Sequence, residues 1–377
     1  MLFWFSLYTY VPIFTPYVEG LGASHKMAGM IVGSYGFTQM VLRIPVGIIS
    51  DRIHKRKLFI VFGMFFSFFS VLGLLLSKNL GLVLFFRAFA GAAAATWVDF
   101  TILFSSYYKH NDASKAIGTI SFFNTIGQML AMYFGSLAAD KAGETAAFAM
   151  GALAALAGVL LSMFIVEKYD EERERITLKG VLDVVSDRTL LIVSFLAILS
   201  QVITFSTTMG FTPAFAEDVL GATKYQMGLL TVFSSLPSAI ASIAAGRYLA
   251  EKFGERAVIV SGFFISGMFT ITIPFTNNIW LLILTQVFSG FGKGLSFTLL
   301  MSLSIKGMPA EKRATAMGFF QSIYGLGMFA GPVVMGIFGD WTGLEKGFIW
   351  LGILGIATAV LAFFMCSTRK MQHGEIS

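Results

Sequence analysis

Cysteine is almost absent: Cys366 stands alone in 377 residues, so the chain can form no internal disulfide. Charge is also scarce. Asp, Glu, Lys and Arg make up 13% of the residues, against roughly 25% in a soluble domain. No run supports a separate soluble domain, no cleavable leader with a basic n-region is present, and no metal or cofactor site is indicated. A nucleotide site is missing too. Gly292-Lys293 superficially matches a phosphate-binding loop. The required glycine five positions earlier is Val287, and Gly294 stands where Ser or Thr should follow. An ATP-driven pump is therefore not expected from this chain alone.

What is present is apolar: 56% of residues are hydrophobic. Crossing a hydrocarbon core of ~30 Å takes about 20 apolar residues in a helix. Twelve such runs are read: Leu2–Tyr17, Met27–Ile49, Leu58–Leu76, Leu80–Tyr107, Ala116–Ala139, Thr145–Val166, Leu190–Ala216, Gln226–Ala245, Ala257–Phe275, Ile279–Ile305, Thr315–Ile337 and Phe348–Cys366. Helix rather than strand follows from run length and from the need to satisfy every backbone group within lipid. The first run starts almost at Met1 and is short, which reads either as a few N-terminal residues missing or as a helix truncated at its cytoplasmic end.

A net charge of +6 invites a nucleic-acid reading, but the distribution of the charge argues otherwise. With the N-terminus placed in the cytoplasm, Lys26, Lys78, Lys141, Lys224 and Lys346 fall outside, and Arg43, Arg87 and Lys293 fall within helices. The other nineteen basic residues fall in cytoplasmic loops or the tail. That is the positive-inside pattern of a multi-pass plasma-membrane protein, here with both termini cytoplasmic. The expected partners are the bilayer, a small-molecule substrate and a coupling proton, with no nucleic acid and a monomeric chain.

The chain also repeats itself. Leu21-Gly22-Ala23-Ser24 recurs as Leu220-Gly221-Ala222-Thr223, and Gly29, Gly47, Gly63 and Gly91 meet Gly228, Gly246, Gly262 and Gly290, all 199 positions on. Five of the ten glycines between residues 20 and 100 meet a glycine at this offset, where about one in ten is expected from 39 glycines in 377 residues. Parallel repeats of this kind place a solute site between the halves. The expected units are residues 1–166, a linker at 167–189 and residues 190–377. The connection Glu167–Arg188 carries seven acids and five bases. Its second part, residues 176–185, reads either as a short helix on the cytoplasmic interface or as a solvated linker.

After the second run comes Gly47-Ile48-Ile49-Ser50-Asp51-Arg52-Ile53-His54-Lys55-Arg56-Lys57. This resembles the signature loop of the major facilitator superfamily: Gly, three residues, Asp, Arg, any residue, Gly, then bases. With twelve runs and a duplicated half, the resemblance covers the whole chain. It implies an all-α membrane fold of two six-helix bundles. One position departs, His54 for the second glycine; histidine tolerates a left-handed backbone better than most residues. Gly47 is expected to let two helices approach. Asp51, poorly placed at the C-terminus of its own helix, should seek a donor or another helix. The resemblance implies that this contact, with Gly47, Asp51, Arg52 and Arg56 as the motif, closes the cytoplasmic side. Lys55, Arg56 and Lys57 alternatively serve only as topological anchors. The second copy starts at Gly246 and carries its acid, Glu251, five residues on instead of four, so a weaker contact is expected there.

Charged residues within the spans supply the site candidates, since intramembrane charge is costly and usually faces protein or a water-filled cavity. Arg87, with Gly91, is similar to an Arg-x-x-x-Gly pattern that the family links to proton coupling or anionic groups; the alternative is snorkelling. Asp99 is the one acid within a predicted span. It reads either as a proton-carrying carboxylate or as the partner of Arg43 in a buried pair. Lys293, flanked by Gly290, Gly292 and Gly294 and sharing a face with Gln286, is expected in the central cavity. Tyr8, Asn124, Gln128 and Gln201 are further candidates for substrate contact, with Tyr10, Thr204, Gln321 and Tyr324 beside them. The Gly-Pro motif expected on the fifth helix of proton-coupled exporters is missing there. A related run, Gly327-Met328-Phe329-Ala330-Gly331-Pro332, stands on the eleventh.

The expected function is secondary transport of a small organic solute, anionic or amphipathic, by alternating access and driven by protons. The alternatives are a proton-driven multidrug exporter of lipophilic cations that uses Asp99, and a receptor or scaffold that no longer transports. An enzyme is not expected.

Overall fold

The computed structural model describes residues 1–108, 113–167, 184–309 and 312–366. It is all helical, with twelve segments in series. The first, α1, is two pieces, Leu2–Tyr8 and Val11–Gly20. There follow α2 (His25–Ile53), α3 (Arg56–Leu76), α4 (Leu80–Ser106, broken at Thr96), α5 (Ala113–Ala142) and α6 (Glu144–Ser162). The second half has α7 (Arg188–Leu220), α8 (Lys224–Phe253), α9 (Glu255–Phe275), α10 (Ile279–Lys306), α11 (Arg313–Thr342) and α12 (Leu344–Met365). Among the described residues, nine of these are long and apolar enough to cross a membrane on composition alone. The exceptions are α1, which is interrupted, and α2 and α5. The read interface helix lies outside the described residues except for Val184 and Val185, which are helical, and so does the tail beyond residue 366.

The repeat has a local physical meaning. Gly22 (φ 91°) and Gly221 (φ 62°) take the left-handed conformation that ends α1 and α7. Ser24 and Thr223 then cap α2 and α8, their hydroxyls accepting from the amides of Met27 (3.3 Å) and Gln226 (3.2 Å). Asn79 and Asn278, 199 residues apart, cap α4 and α10 in the same way. Gly91 brings α4 against the Tyr35 carbonyl and Gly290 brings α10 against the Ser234 carbonyl, again 199 apart on both partners. In each contact a side chain larger than hydrogen would meet backbone, so Gly is required.

The two halves meet at the end of the molecule that carries the α1–α2 and α7–α8 turns. Gly29 and Gly36 of α2 lie against Pro332 and Met328 of α11. Gly228 of α8 lies against Ser136 of α5. Two aspartates seal this end. Asp340, closing α11, accepts from the amides of His25 (2.9 Å) and Lys26 (3.1 Å) at the start of α2. Asp140, closing α5, accepts from the Tyr225 amide (3.2 Å) at the start of α8. A carboxylate is well placed at a helix N-terminus, where free amides and the dipole both favour it. Lys224 adds ion pairs to Glu217 of its own half (2.6 Å) and Glu144 of the other (2.8 Å).

At the opposite end, which holds most of the Lys and Arg, the halves separate. Toward that end α2 meets α11 through Met40 on Gly325 and through Arg43, whose Nη1 donates to Gln321 (2.8 Å) and Tyr324 (3.4 Å). Beyond them Gly47, Gly118, Gly246 and Gly318 face no neighbouring atom. Gly47 therefore does not mediate the close approach expected of it: a Cβ there would meet open space. The molecule is closed at one end and open at the basic end.

Asp340→Ala and Asp140→Ala should each weaken the closed end by about 1 kcal/mol, the usual value of a helix cap. Spin labels placed across that end should then report a larger open population, more so in the double variant.

Candidate functional site

The α7 backbone is regular until Thr207–Phe211, which forms a π-helical turn. Such a turn is a common mark of functional positions. Here it turns two adjacent hydroxyls toward one cation: Lys293 Nζ on α10 donates to Thr207 Oγ1 (2.9 Å) and Thr208 Oγ1 (2.8 Å). Lys293 is 8% exposed, and no carboxylate pairs with it among the described residues. Gly290 and Gly294 admit α8 on the same side, against the carbonyls of Ser234 and Ser238. The result is a cavity of about 140 Å³. Gln201, Thr204, Thr208, Ser234, Ser238 and Lys293 line it, with more serines of α8 around them. The lining holds hydroxyls and one ammonium and no acid, which is an anion-binding chemistry. Its volume suits one small charged group, being below the several hundred Å³ of a drug-sized pocket.

The second intramembrane cation belongs to the other half. Arg87 is 5% exposed. Its Nη1 donates to the Tyr10 hydroxyl at 2.7 Å, and its guanidinium lies 4.7–5.4 Å from the ring centres of Tyr10, Phe14 and Tyr35. Among the described residues it too has no carboxylate partner, and its Nε is unpaired. Cation–π contact compensates part of the burial. Tyr35 stacks on Phe205 of α7 at 6.3 Å, two residues before the π turn. That ring contact crosses between the halves.

The remaining candidates divide. Gln201 lines the Lys293 cavity and Tyr8 belongs to the Arg87 cluster. Gln286 is fully buried beside Thr285 but lines no part of the cavity. Asn124 and Gln128 bond each other along α5. The sequence reading missed Thr207, Thr208 and the serines of α8. Ser234, Ser238 and Ser242 recur every four residues, a hydroxyl stripe that helical spacing could have revealed.

Asp99 does not pair with Arg43. It accepts from Arg56 Nη1 at 2.9 Å, while Arg43 reaches α11. The break at Thr96 is the reason: the Asp99 amide bonds the Thr96 carbonyl, so the facing expected of one continuous helix does not hold. Arg56 also bonds Ser50 (3.0 Å) and pairs with Asp51. It is therefore the centre of a charge cluster joining α2, α3 and α4, and more than a topological anchor. Asp99 is fully buried in this cluster and lines no part of the Lys293 cavity. His54 takes φ 56°, ψ 26°, the left-handed turn that the signature loop requires. In the second copy the extra residue is absorbed by a π turn at Ala245–Leu249, and the loop that follows shortens to Gly254 (φ 81°). Glu251 is exposed there, and no ion pair to it appears among the described residues.

Arg56→Gln leaves Asp99 buried without its counter-ion and should destabilise by about 3–5 kcal/mol. Asp51→Asn, at an exposed site, should cost under about 1 kcal/mol, and Arg56→Gln with Asp99→Asn should recover most of the loss. Melting temperatures of the three variants test this order. At the turn, His54→Gly should be tolerated, while His54→Val should lower the melting temperature through a cost of about 1–2 kcal/mol.

Comparison with known proteins agrees with this architecture. The Major Facilitator Superfamily model matches residues 1–222 and again 194–375. An uncharacterised MFS-type transporter of Methanocaldococcus jannaschii is 28% identical over 366 residues, covering 93% of this chain and 92% of the relative. The inner membrane transport protein YajR of Escherichia coli is 27% identical, covering 89% and 74%. A multi-drug resistance efflux pump PmrA homolog of Lactococcus lactis is 23% identical, covering 94% and 89%. Among solved structures, a bacterial homolog of the human lysosomal transporter Spinster, in an inward-facing and unoccupied conformation, has a TM-score of 0.83 at 14% identity. It covers 100% of this chain and 96% of its own. The nucleoside transporter NupG has 0.80 at 16%, covering 97% of each chain. The chain belongs to the major facilitator superfamily, as a multi-pass membrane transporter.

Proposed function

We propose that this transporter carries a small organic anion by alternating access, with Lys293 as the group that receives the anionic moiety. The observation that carries the reading is the Lys293 cavity: one buried ammonium, held by two threonine hydroxyls, in a lining without an acid. An uncompensated ammonium in a low-dielectric interior is costly. An incoming carboxylate or similar group supplies the missing charge, and the serine and threonine hydroxyls complete its hydrogen bonds. The cavity takes the anionic head alone, so the rest of the solute lies in the space between the halves, beside the aromatic cluster around Arg87. Arg87 offers a second positive charge from the other half.

In this state the solute enters and leaves at the basic end, which by the positive-inside pattern is the cytoplasmic side. Parting of the Asp340 and Asp140 caps opens the other end, and the Arg56 cluster closes the basic one. Protons are the simplest energy source, Lys293 being the titratable group that lines the cavity. The relative named as a multidrug pump brings the lipophilic-cation reading forward. Against it stands the absence of a carboxylate from the cavity lining, Asp99 being held by Arg56.

Purified protein should show a raised melting temperature with members of a panel of organic anions, since a ligand that binds only the folded state stabilises by mass action. Lys293→Met should abolish that response. The variant should also melt higher than the native protein without ligand, because an unpaired buried charge has gone. Stabilisation by lipophilic cations and by no anion would overturn the reading.

A further inference from the structure

A second cavity, larger than the Lys293 site, lies elsewhere. At the basic end a groove of about 1400 Å³ opens between the start of α7, α9, the end of α10 and the end of α12. It shares no lining residue with the Lys293 cavity. Lys306 lies thirteen residues past Lys293 along α10, about 20 Å at 1.5 Å per residue. The deep walls are apolar and face outward: Phe264, Val360, Phe363 and Phe364 are 48%, 53%, 49% and 66% exposed. The rim carries Arg256, Glu255, Lys306 and Asp187.

Three of the rim charges are occupied. Lys306 and Glu255 neutralise each other at 2.9 Å. Asp187 accepts from the Leu190 amide at 2.7 Å, capping α7. Arg256 is left over. Its guanidinium lies 3.7 Å from the Phe363 ring centre, which pins its plane, and its Nε has no hydrogen-bond partner. No ion pair to Arg256 appears among the described residues.

At the repeat offset of 199 the counterpart of Arg56 is Glu255 and that of Arg256 is Lys57, while Arg56 is held by Asp51 and by the buried Asp99. The residue 199 positions after Asp99 is Thr298, which donates to the Ser242 hydroxyl at 2.7 Å. The second half therefore has no buried carboxylate at the position of Asp99 that could hold Arg256.

We propose that this groove binds one anionic phospholipid, its phosphate on Arg256 and its acyl chains along Phe264, Val360 and Phe364. Arginine matches the planar, two-point geometry of a phosphate oxyanion. A basic rim above apolar walls between membrane helices is the arrangement that recognises an acidic head group.

Native mass spectrometry of the full chain tests it, with phosphatidylglycerol and phosphatidylcholine added in turn. One phosphatidylglycerol should survive activation that strips phosphatidylcholine. Arg256→Gln should cut that retention about tenfold, the value of one charge-assisted hydrogen bond. Val360→Trp fills the groove without touching Arg256 and should expel the same lipid, which keeps the proposal testable if Arg256→Gln folds poorly. Lys252→Gln, at the same end but outside the groove, should leave retention unchanged. Equal retention of both lipids, or unchanged phosphatidylglycerol retention in Arg256→Gln or Val360→Trp, overturns the proposal. So does competition by inorganic phosphate at the concentration of the lipid, since the site would then bind a free anion.

Discussion

A charge placed in hydrocarbon must find a partner, water or an aromatic face, and the interior of this transporter is organised around three different solutions to that constraint. Asp99 is fully buried and holds a counter-ion, Arg56. Arg87 has no counter-ion among the described residues, and rests on one tyrosine hydroxyl and three ring faces. Lys293 has two threonine hydroxyls and a cavity. The degree of compensation falls in that order. A paired charge is a structural element, and a charge held by neutral groups still has attraction to offer a ligand. That gradient separates the Arg56 cluster from the Lys293 cavity more sharply than the residue types do.

Duplication supplies the scaffold, and the departures from it supply the chemistry. The capped turns at Ser24 and Thr223 and the close approaches at Gly91 and Gly290 are the same device used twice. The two sealing aspartates, Asp140 and Asp340, are likewise equivalent. Both described π turns lie in the second half. One brings Thr207 and Thr208 to Lys293; the other absorbs the residue that displaces Glu251 relative to Asp51. Arg87 corresponds to the neutral Gln286 and Asp99 to the neutral Thr298. Each half thus holds a buried cation, Arg87 or Lys293, at a place where the other does not.

Twelve helical segments, the duplication and the signature loop were legible in the residues alone. Run length, recurrent Gly and recurrent cap residues are local signals, and lipid leaves the backbone few choices. Lys293 was legible as a costly charge for the same reason, but its place was not: the cavity it lines is built from α7, α8 and α10 of the second half alone, where the sequence reading expected a central cavity between the halves. Partners were not legible. The expected Arg43–Asp99 pair assumed an unbroken α4, and one turn at Thr96 redirects Asp99 to Arg56. Gly47 matched a motif for close approach, yet it faces open space.

The sequence by itself thus determined what each segment must be: a membrane-spanning helix, a capped turn, a basic loop, a costly charge. These follow from composition and from spacings of a few residues. Only the tertiary structure decided which charges are compensated, because partners such as Arg56 and Asp99, or Lys293 and Thr207, lie 43 and 86 residues apart. Their meeting depends on helix breaks and π turns that shift facing by a fraction of a turn. It also decided which end is shut, a property of how two rigid halves lean on each other.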